Sequence, residues 1–191
     1  EGRVTVQKME RKEKSESPPA LYDLTTLQRD ANRLLGFTAQ QTLDYAQSLY
    51  EKRLITYPRT DSRFLTDDMA ASLPGLVTDT GKALAALPAG ERNVLRLIAA
   101  RLLCAVGEPH RYAETTLTTI CAGEEFSAKG KVMLSEGWKA MEQKMLGELL
   151  GKQKEAAVLP DVQEQSQCSI AGAELKEGQT SAPKHFTEDL L

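Results

Sequence analysis

Thr38-Ala-Gln-Gln-Thr-Leu-Asp-Tyr-Ala-Gln-Ser-Leu-Tyr50-Glu-Lys-Arg-Leu54-Ile-Thr-Tyr57-Pro58-Arg59-Thr60-Asp61-Ser62-Arg63 changes period part-way along, and that change sets the architecture. Thr38 and Gln41 have the spacing of a capping box, and Leu43, Ala46, Leu49 and Tyr50 follow at helical intervals. Around Leu54 the pattern turns into a strand. Pro58 disfavours the α region for Tyr57, which puts the tyrosine at an extended strand end with a defined direction. Arg59 then projects to the same face. Upstream, Thr25 or Thr26 caps a helix to about Leu35 that closes at Gly36. Two helices joined at Gly36-Phe37 therefore deliver Tyr57, in the manner of a helix-turn-helix.

A tyrosine, a constrained backbone and a guanidinium side by side suggest phosphodiester chemistry. A phenol attacking a DNA phosphate must offset a pKa near 10 and meet charge growing on the non-bridging oxygens. The fork of Arg59 can bind a phosphate bidentately, stabilising that charge and, less directly, the phenolate. An isolated Tyr-x-Arg would ordinarily be a packed strand aromatic beside a solvated charge. Here Lys52, Arg53, Arg59 and Arg63 form a basic cluster beside Tyr57, with Arg29 and Arg33 on the preceding helix as additions or as a plain solvated face.

The 191 residues, 41% of them apolar, give one large domain or two small ones with a real core. A net charge of −3 and a pI near 5.6 argue against a general basic coat, so any nucleic-acid site must be local. Cys104, Cys121 and Cys168 lack paired ligand spacing, which points away from zinc and from a disulfide framework. With no apolar run long enough to cross a bilayer and no signal peptide, a cytoplasmic home is expected, and no membrane partner. Glu1-Gly-Arg-Val starts inside a strand pattern and Thr187-Glu-Asp-Leu-Leu191 stops one turn into a capped helix, so the chain reads as part of a longer enzyme.

Residues 3–9 alternate as a strand, and Arg11 to Pro19 reads as a charged, proline-ended connector. Thr66 is placed to cap a helix whose first turn holds Asp67 and Asp68, an arrangement suited to capping rather than to metal binding. Val94, Leu95, Ile98 and Leu102 mark a core helix from about Glu91 to Val106, stopped by Gly107-Glu-Pro109. Thr115 to Cys121, a turn at Ala122-Gly-Glu-Glu, and Phe126 to Val132 read as a β-hairpin. The polar stretch 139–157 is a helix or an exposed loop, and further strands are expected around Gln167 to Leu175. The fold class is α+β, a split antiparallel β domain (1–24 and 111–181) with an inserted, mainly helical domain (25–110) carrying a helix-turn-helix-like element. Residues 182–191 would begin a following domain.

The stretch from Leu21 through Gly36-Phe-Thr38, Thr42-Leu, Gln47 to Glu51 and Ile55 to Leu65 resembles the type IA DNA topoisomerases, nearest the bacterial topoisomerase III branch. The likeness continues through Phe126-Ser-Ala-Lys-Gly130, Gly137-Trp138, Leu159-Pro, Leu175-Lys-Glu-Gly178 and Pro183-Lys-His-Phe-Thr-Glu188, covering nearly the whole chain in the family's order. By position in that motif, the resemblance implies that Tyr57 is the nucleophile that becomes joined to a DNA 5′-phosphate and that Arg59 assists cleavage. It also implies that the β domain bends as an arch carrying the helical domain.

Two departures stand out. A complete enzyme of this kind resembles two halves, the second an acidic Mg²⁺-binding fold of the Toprim type, and no Asp-x-Asp with an upstream Glu is present here. Mg²⁺ would be held by that other half, a partner within the same enzyme, and none is expected on this chain. Between Val77 and Leu87 the family usually carries a segment of roughly a few tens of residues with a catalytic histidine. Here the chain runs straight on, leaving only His110 and His185, both in connector contexts.

The leading expectation is the DNA gate of a topoisomerase, which cuts one strand of single-stranded DNA by transesterification, passes another and reseals. Phosphotyrosine keeps the bond energy, in agreement with the absence of an ATP-binding phosphate loop. Thr60, Asp61, Ser62 and Arg63 would flank the scissile phosphate, with Asp61 holding an arginine in place, while Lys52 and Arg53 contact the DNA backbone. The alternative is a helix-turn-helix fragment that binds DNA without chemistry unless the Toprim half is supplied. A relaxase would need paired metal-binding histidines that the sequence lacks, and a purely structural scaffold leaves Tyr57-Pro-Arg unexplained.

Overall fold

The computed structural model describes residues 2–60, 62–66, 68, 71, 75, 81, 84–151 and 157–182. They combine helices with an antiparallel sheet in two compact units. As far as described, one unit comprises residues 2–16, 109–136 and 157–182, and the other residues 17–108 and 137–151.

The first unit is a four-stranded sheet made of β1 (Arg3–Glu16), β2 (His110–Cys121), β3 (Glu124–Ser135) and β4 (Gln167–Ser169), in the order β3-β2-β1-β4 with antiparallel neighbours. β1 is longer than its alternation announces, because the stretch Arg11–Ser15, expected as a connector, pairs fully with β2 from Arg11↔Thr115 to Ser15↔Arg111. Cross-strand ion pairs Lys14–Glu114 (2.6 Å) and Arg111–Glu13 (3.4 Å) accompany that pairing, so charge here decorates a strand. The hairpin turn is shorter than expected: Cys121 pairs with Glu124, leaving only Ala122 (φ 51°) and Gly123 (φ 88°) as loop. Two positive φ values are what a type I′ turn demands.

Directly paired residues share a face, and Thr115 and Gly130 are paired and buried. The backbone of Ala157 crosses beside them and accepts a hydrogen bond from Lys131 N (3.0 Å). A Cβ on Gly130 would stand 2.6 Å from the Ala157 carbonyl, so the close approach requires glycine. Of the strands expected around Gln167–Leu175, only Gln167–Ser169 forms, against Arg3–Thr5.

The second unit holds α1 (Leu24–Leu35), α2 (Ala39–Glu51), α3 (Ala89–Ala105) and α4 (Trp138–Leu150). Its core is Leu27 and Ala31 of α1, Ala46 and Leu49 of α2, Val94, Leu95, Leu97 and Ala100 of α3, and Leu146 of α4. On α1 and α2 those positions are four and three residues apart, as one helix face requires, while on α3 positions 94, 95, 97 and 100 form a broader face; each buried Leu or Val contributes about 1.5–3 kcal/mol. Residues 139–150, left open as helix or loop, are helical because Leu146 completes this core. They belong to the helical unit rather than to the strands.

Caps set the helix ends. α2 starts as expected, with Thr38 Oγ1 accepting from Gln41 N (3.1 Å) and Gln41 Oε1 accepting from Thr38 N (2.9 Å). α1 starts earlier than expected, because Asp23 is its cap: Oδ1 accepts from Thr26 N (2.7 Å) and Thr26 sits at the third helical position. Gly36, at φ 69°, closes α1. Thr66 precedes a helical Asp68, whereas Asp67 lies outside the described residues. Among the described residues, no helix is long and apolar enough to cross a membrane.

Candidate active site

Arg53, with φ 59°, turns the chain out of α2 in the left-handed region, and Leu54 N returns to Leu49 O at 2.9 Å. The expected strand at Leu54–Tyr57 does not form. Residues 54–56 bend, Pro58 and Arg59 make a turn, and Leu54 and Ile55 dock on the helical core in place of a neighbouring strand. Tyr57 and Arg59 therefore do not follow strand alternation, the geometry from which a shared face is expected.

Tyr57 is 52% exposed, with its ring standing edge-on to Tyr50 (centroids 5.6 Å apart, 73° between planes). This edge-to-face contact gives the phenol a defined direction while leaving it open to a large substrate. Tyr50 was legible only as one more residue on the apolar stripe of α2, and its role as a side wall depends on the bend after Arg53. Arg59 is exposed, and no described carboxylate lies within ion-pair distance of it. Thr60 Oγ1 accepts from Ser62 N (3.3 Å), while Asp61 lies outside the described residues.

The other cations are deployed differently from the expected basic cluster. Lys52 forms an ion pair with Glu91, whose other oxygen accepts from Ser48 Oγ (3.0 Å). Glu91 is buried to 8% exposure, and the hydrogen bond from Lys52, partly opposed by burial and helped by Ser48, lowers its pKa. Arg63 donates through Nε to Leu21 O (2.8 Å) and approaches Asp23 Oδ2 at 3.5 Å. Arg33 turns to Asp30 (2.7 Å), which also accepts from Arg101 (2.6 Å) and from the hydroxyl of Tyr22 (2.7 Å). Arg29 and Arg53 are exposed. Sequence reading missed Glu91 and Asp23 as partners, although the Asp23-x-x-Thr26 spacing and an acidic first turn on α3 were both visible signals.

His110 is on β2 with Nδ1 3.1 Å from the Glu136 carbonyl, and His185 lies outside the described residues. Among the described residues, no group of three or more His, Cys, Asp or Glu is placed to hold a metal ion. Cys104 is buried, and burial pushes its thiol up to about 11.

The family model described as DNA topoisomerase matches this chain in two overlapping pieces, residues 1–89 and 74–191. DNA topoisomerase 3 of Bacillus licheniformis is 33% identical over 214 residues, covering 91% of this chain and 29% of that protein. The corresponding protein of Bacillus subtilis is 32% identical over 229 residues, covering 98% of this chain and 32% of its own length. The chain thus spans about a third of the length of these curated relatives. Because 229 aligned positions exceed the 191 residues here, the Bacillus subtilis relative carries on the order of 40 residues without a counterpart. The two pieces of the family match meet within 74–89, where the sequence runs straight past the expected histidine segment. Full-length topoisomerase I from Thermotoga maritima has a similar fold, with a TM-score of 0.72 at 22% identity over 87% of this chain and 32% of that one.

Proposed function

The chain belongs to the type IA DNA topoisomerases, in their bacterial topoisomerase III branch, and we propose that it carries the strand-cleaving gate of such an enzyme, with Tyr57 as nucleophile. The observation that carries this reading is a half-exposed phenol, braced by Tyr50, beside an exposed Arg59 that no described carboxylate neutralises. In the proposed reaction the oxygen of Tyr57 attacks the phosphorus of single-stranded DNA. The bond to the 3′ oxygen breaks, the leaving strand keeps a 3′ hydroxyl, and the downstream strand stays on the protein through its 5′-phosphate. Attack by that hydroxyl on the phosphotyrosine reverses the step, so the bond energy is retained and ATP is not needed. Arg59 meets the charge on the non-bridging oxygens. Thr60 and Ser62 border the phosphate, and Arg53 and Arg59 supply backbone charge.

The sheet unit, in this reading, is the arch and α1–Gly36–α2 the helix-turn-helix-like element beside the tyrosine. The described residues offer no carboxylate cluster that fits Mg²⁺, which we assign to an acidic Toprim half, and no step above passes through it. Strand passage belongs to the whole enzyme in company with that half.

Covalent trapping tests the reading. Wild type and Tyr57→Phe are mixed with single-stranded DNA labelled at its 3′ end, with Mg²⁺ and a separately expressed Toprim half, then denatured. Label should follow the wild type and not Tyr57→Phe. Binding by both with label on neither leaves the alternative, a DNA-binding fragment without chemistry, and turns attention to the segment absent near 74–89.

A further inference from the structure

The segment between Lys52 and Arg63 holds the proposed nucleophile, yet its described residues, 53–60 and 62, have no regular secondary structure to fix them. A loop of this kind samples many conformations unless its ends are tied. Both ends are tied by cations that a sequence reading assigns to DNA.

At the entry, Lys52 is the last residue of the α2 cap and pairs with Glu91 in the first turn of α3. Glu91 is buried and also accepts from Ser48, so the carboxylate is held between two donors, Ser48 on α2 and Lys52 at its end. At the exit, Arg63 uses the two sides of its guanidinium separately. Nε donates to Leu21 O, and NH1 faces the Asp23 oxygen that is not capping α1, since Oδ1 serves Thr26 N. An arginine addresses a carbonyl and a carboxylate in this way from two separate nitrogens of one rigid plane, a geometry that the single nitrogen of a lysine does not offer. By contrast, Arg53 and Arg59, inside the segment, are exposed with no described ion-pair partner.

We propose that Lys52 and Arg63 are positioning residues that pin the two ends of the Tyr57 segment, Lys52 through Glu91 and Arg63 through Leu21 and Asp23, and that phosphate contact falls to Arg53 and Arg59. The proposal rests on the reading of Tyr57 as the nucleophile only for its consequence in catalysis; the pinning itself is a property of this chain. A cation that already neutralises a protein carboxylate releases few counterions when DNA arrives, whereas a free one releases its share. For single strands each phosphate contact contributes about 0.7 to the slope of log K against log salt.

The test uses the full chain labelled with 3-fluorotyrosine, the Tyr57 resonance being assigned by its loss in Tyr57→Phe, together with anisotropy of a fluorescent single-stranded oligonucleotide across a salt series. Lys52→Gln and Arg63→Gln should shift or broaden the Tyr57 and Tyr50 signals, spare Tyr112 on β2, and keep the wild-type salt slope. Arg53→Gln and Arg59→Gln should leave Tyr57 in place and each lower the slope by about 0.7. Asp23→Ser guards against simple misfolding, since serine preserves the helix cap while removing the carboxylate partner of Arg63. It should move the Tyr57 signal in the same direction as Arg63→Gln but by less, since Nε keeps its bond to Leu21 O, although no cation has been removed; an unmoved signal would remove Asp23 from the pinning. A lowered slope in Lys52→Gln and Arg63→Gln, with Tyr57 unmoved, would make them phosphate contacts and overturn the proposal. If wild type binds no oligonucleotide, the DNA reading fails, while the Tyr57 signal still decides the pinning.

Discussion

Asp30→Asn should cost the helical unit about 3 kcal/mol. The Asp30 carboxylate accepts from the Tyr22 hydroxyl at 2.7 Å, from Arg101 at 2.6 Å and from Arg33 at 2.7 Å, joining α1 to α3 and to the chain before α1. Arg101 also lies over the Tyr22 ring, 4.2 Å from its centroid. A neutral amide keeps one acceptor and replaces the other with an N–H that faces donors. The Arg33 side chain is half exposed and contributes only about 0.5 kcal/mol. Arg101 and Tyr22 are mostly shielded, and a charge-assisted bond there is worth roughly 1.5–3 kcal/mol. Burial pushes the Asp30 carboxyl up, but hydrogen bonds from Arg33 and Tyr22 and the charges of Arg33 and Arg101 outweigh it and hold the pKa below the usual carboxylate value. A lowered native pKa means stability that is fully present above the unfolded value near 3.9 and is lost as pH falls through the native one. Urea unfolding followed by helical circular dichroism at pH 7, and again between pH 5 and 2.5, reads both effects. A loss below about 1 kcal/mol at pH 7, or an acid limb as steep in Asp30→Asn as in wild type, refutes the reasoning.

Ala122→Asn should stabilise the sheet unit by up to about 1 kcal/mol, because Asn-Gly tolerates two positive φ values where alanine is strained; thermal melting should rise by roughly 2–4 °C. Gly90→Ala should destabilise by about 1–2 kcal/mol despite a helix-propensity gain near 1, since its Cβ would stand 2.3 Å from the Tyr45 ring, which is already braced by Phe37. Urea midpoints check this, and a gain in stability would show the ring free to yield. Thiol labelling with iodoacetamide at pH 8, read by peptide mass, should mark exposed Cys168 well before Cys104, whose thiol burial holds near 11.

The helical elements were legible where local chemistry and packing agree. Thr38 with Gln41 and the Gly36 stop each announce a helix end in a few residues, and the structure uses both; of the stripe expected on α3, Val94 and Leu95 are buried and Ile98 packs against the core, while Leu97 and Ala100 rather than Leu102 complete the inner face. The strand expected at Leu54–Tyr57 failed because β-rich composition does not form a strand without a neighbour to pair with. Leu54 and Ile55 found the helical core instead. Arg11–Ser15 misled in the opposite sense, since long-range pairing with β2 overrides the turn-like charge and serine content. At the site, the juxtaposition of Tyr57 and Arg59 draws attention by residue type, but the catalytic roles proposed for them come from the family resemblance. The fates of Lys52 and Arg63 were not legible, because ion pairs with Glu91 and Asp23 span about 40 residues and appear only when the helices pack.

The atom to which DNA becomes attached decides whether Tyr57 is the nucleophile. After trapping, nuclease digestion and trypsin treatment, mass spectrometry should place a 5′-linked nucleotide remnant on the peptide Leu54-Ile-Thr-Tyr-Pro-Arg59, at Tyr57. A remnant on any other peptide, with Tyr57 unmodified, would contradict the central claim.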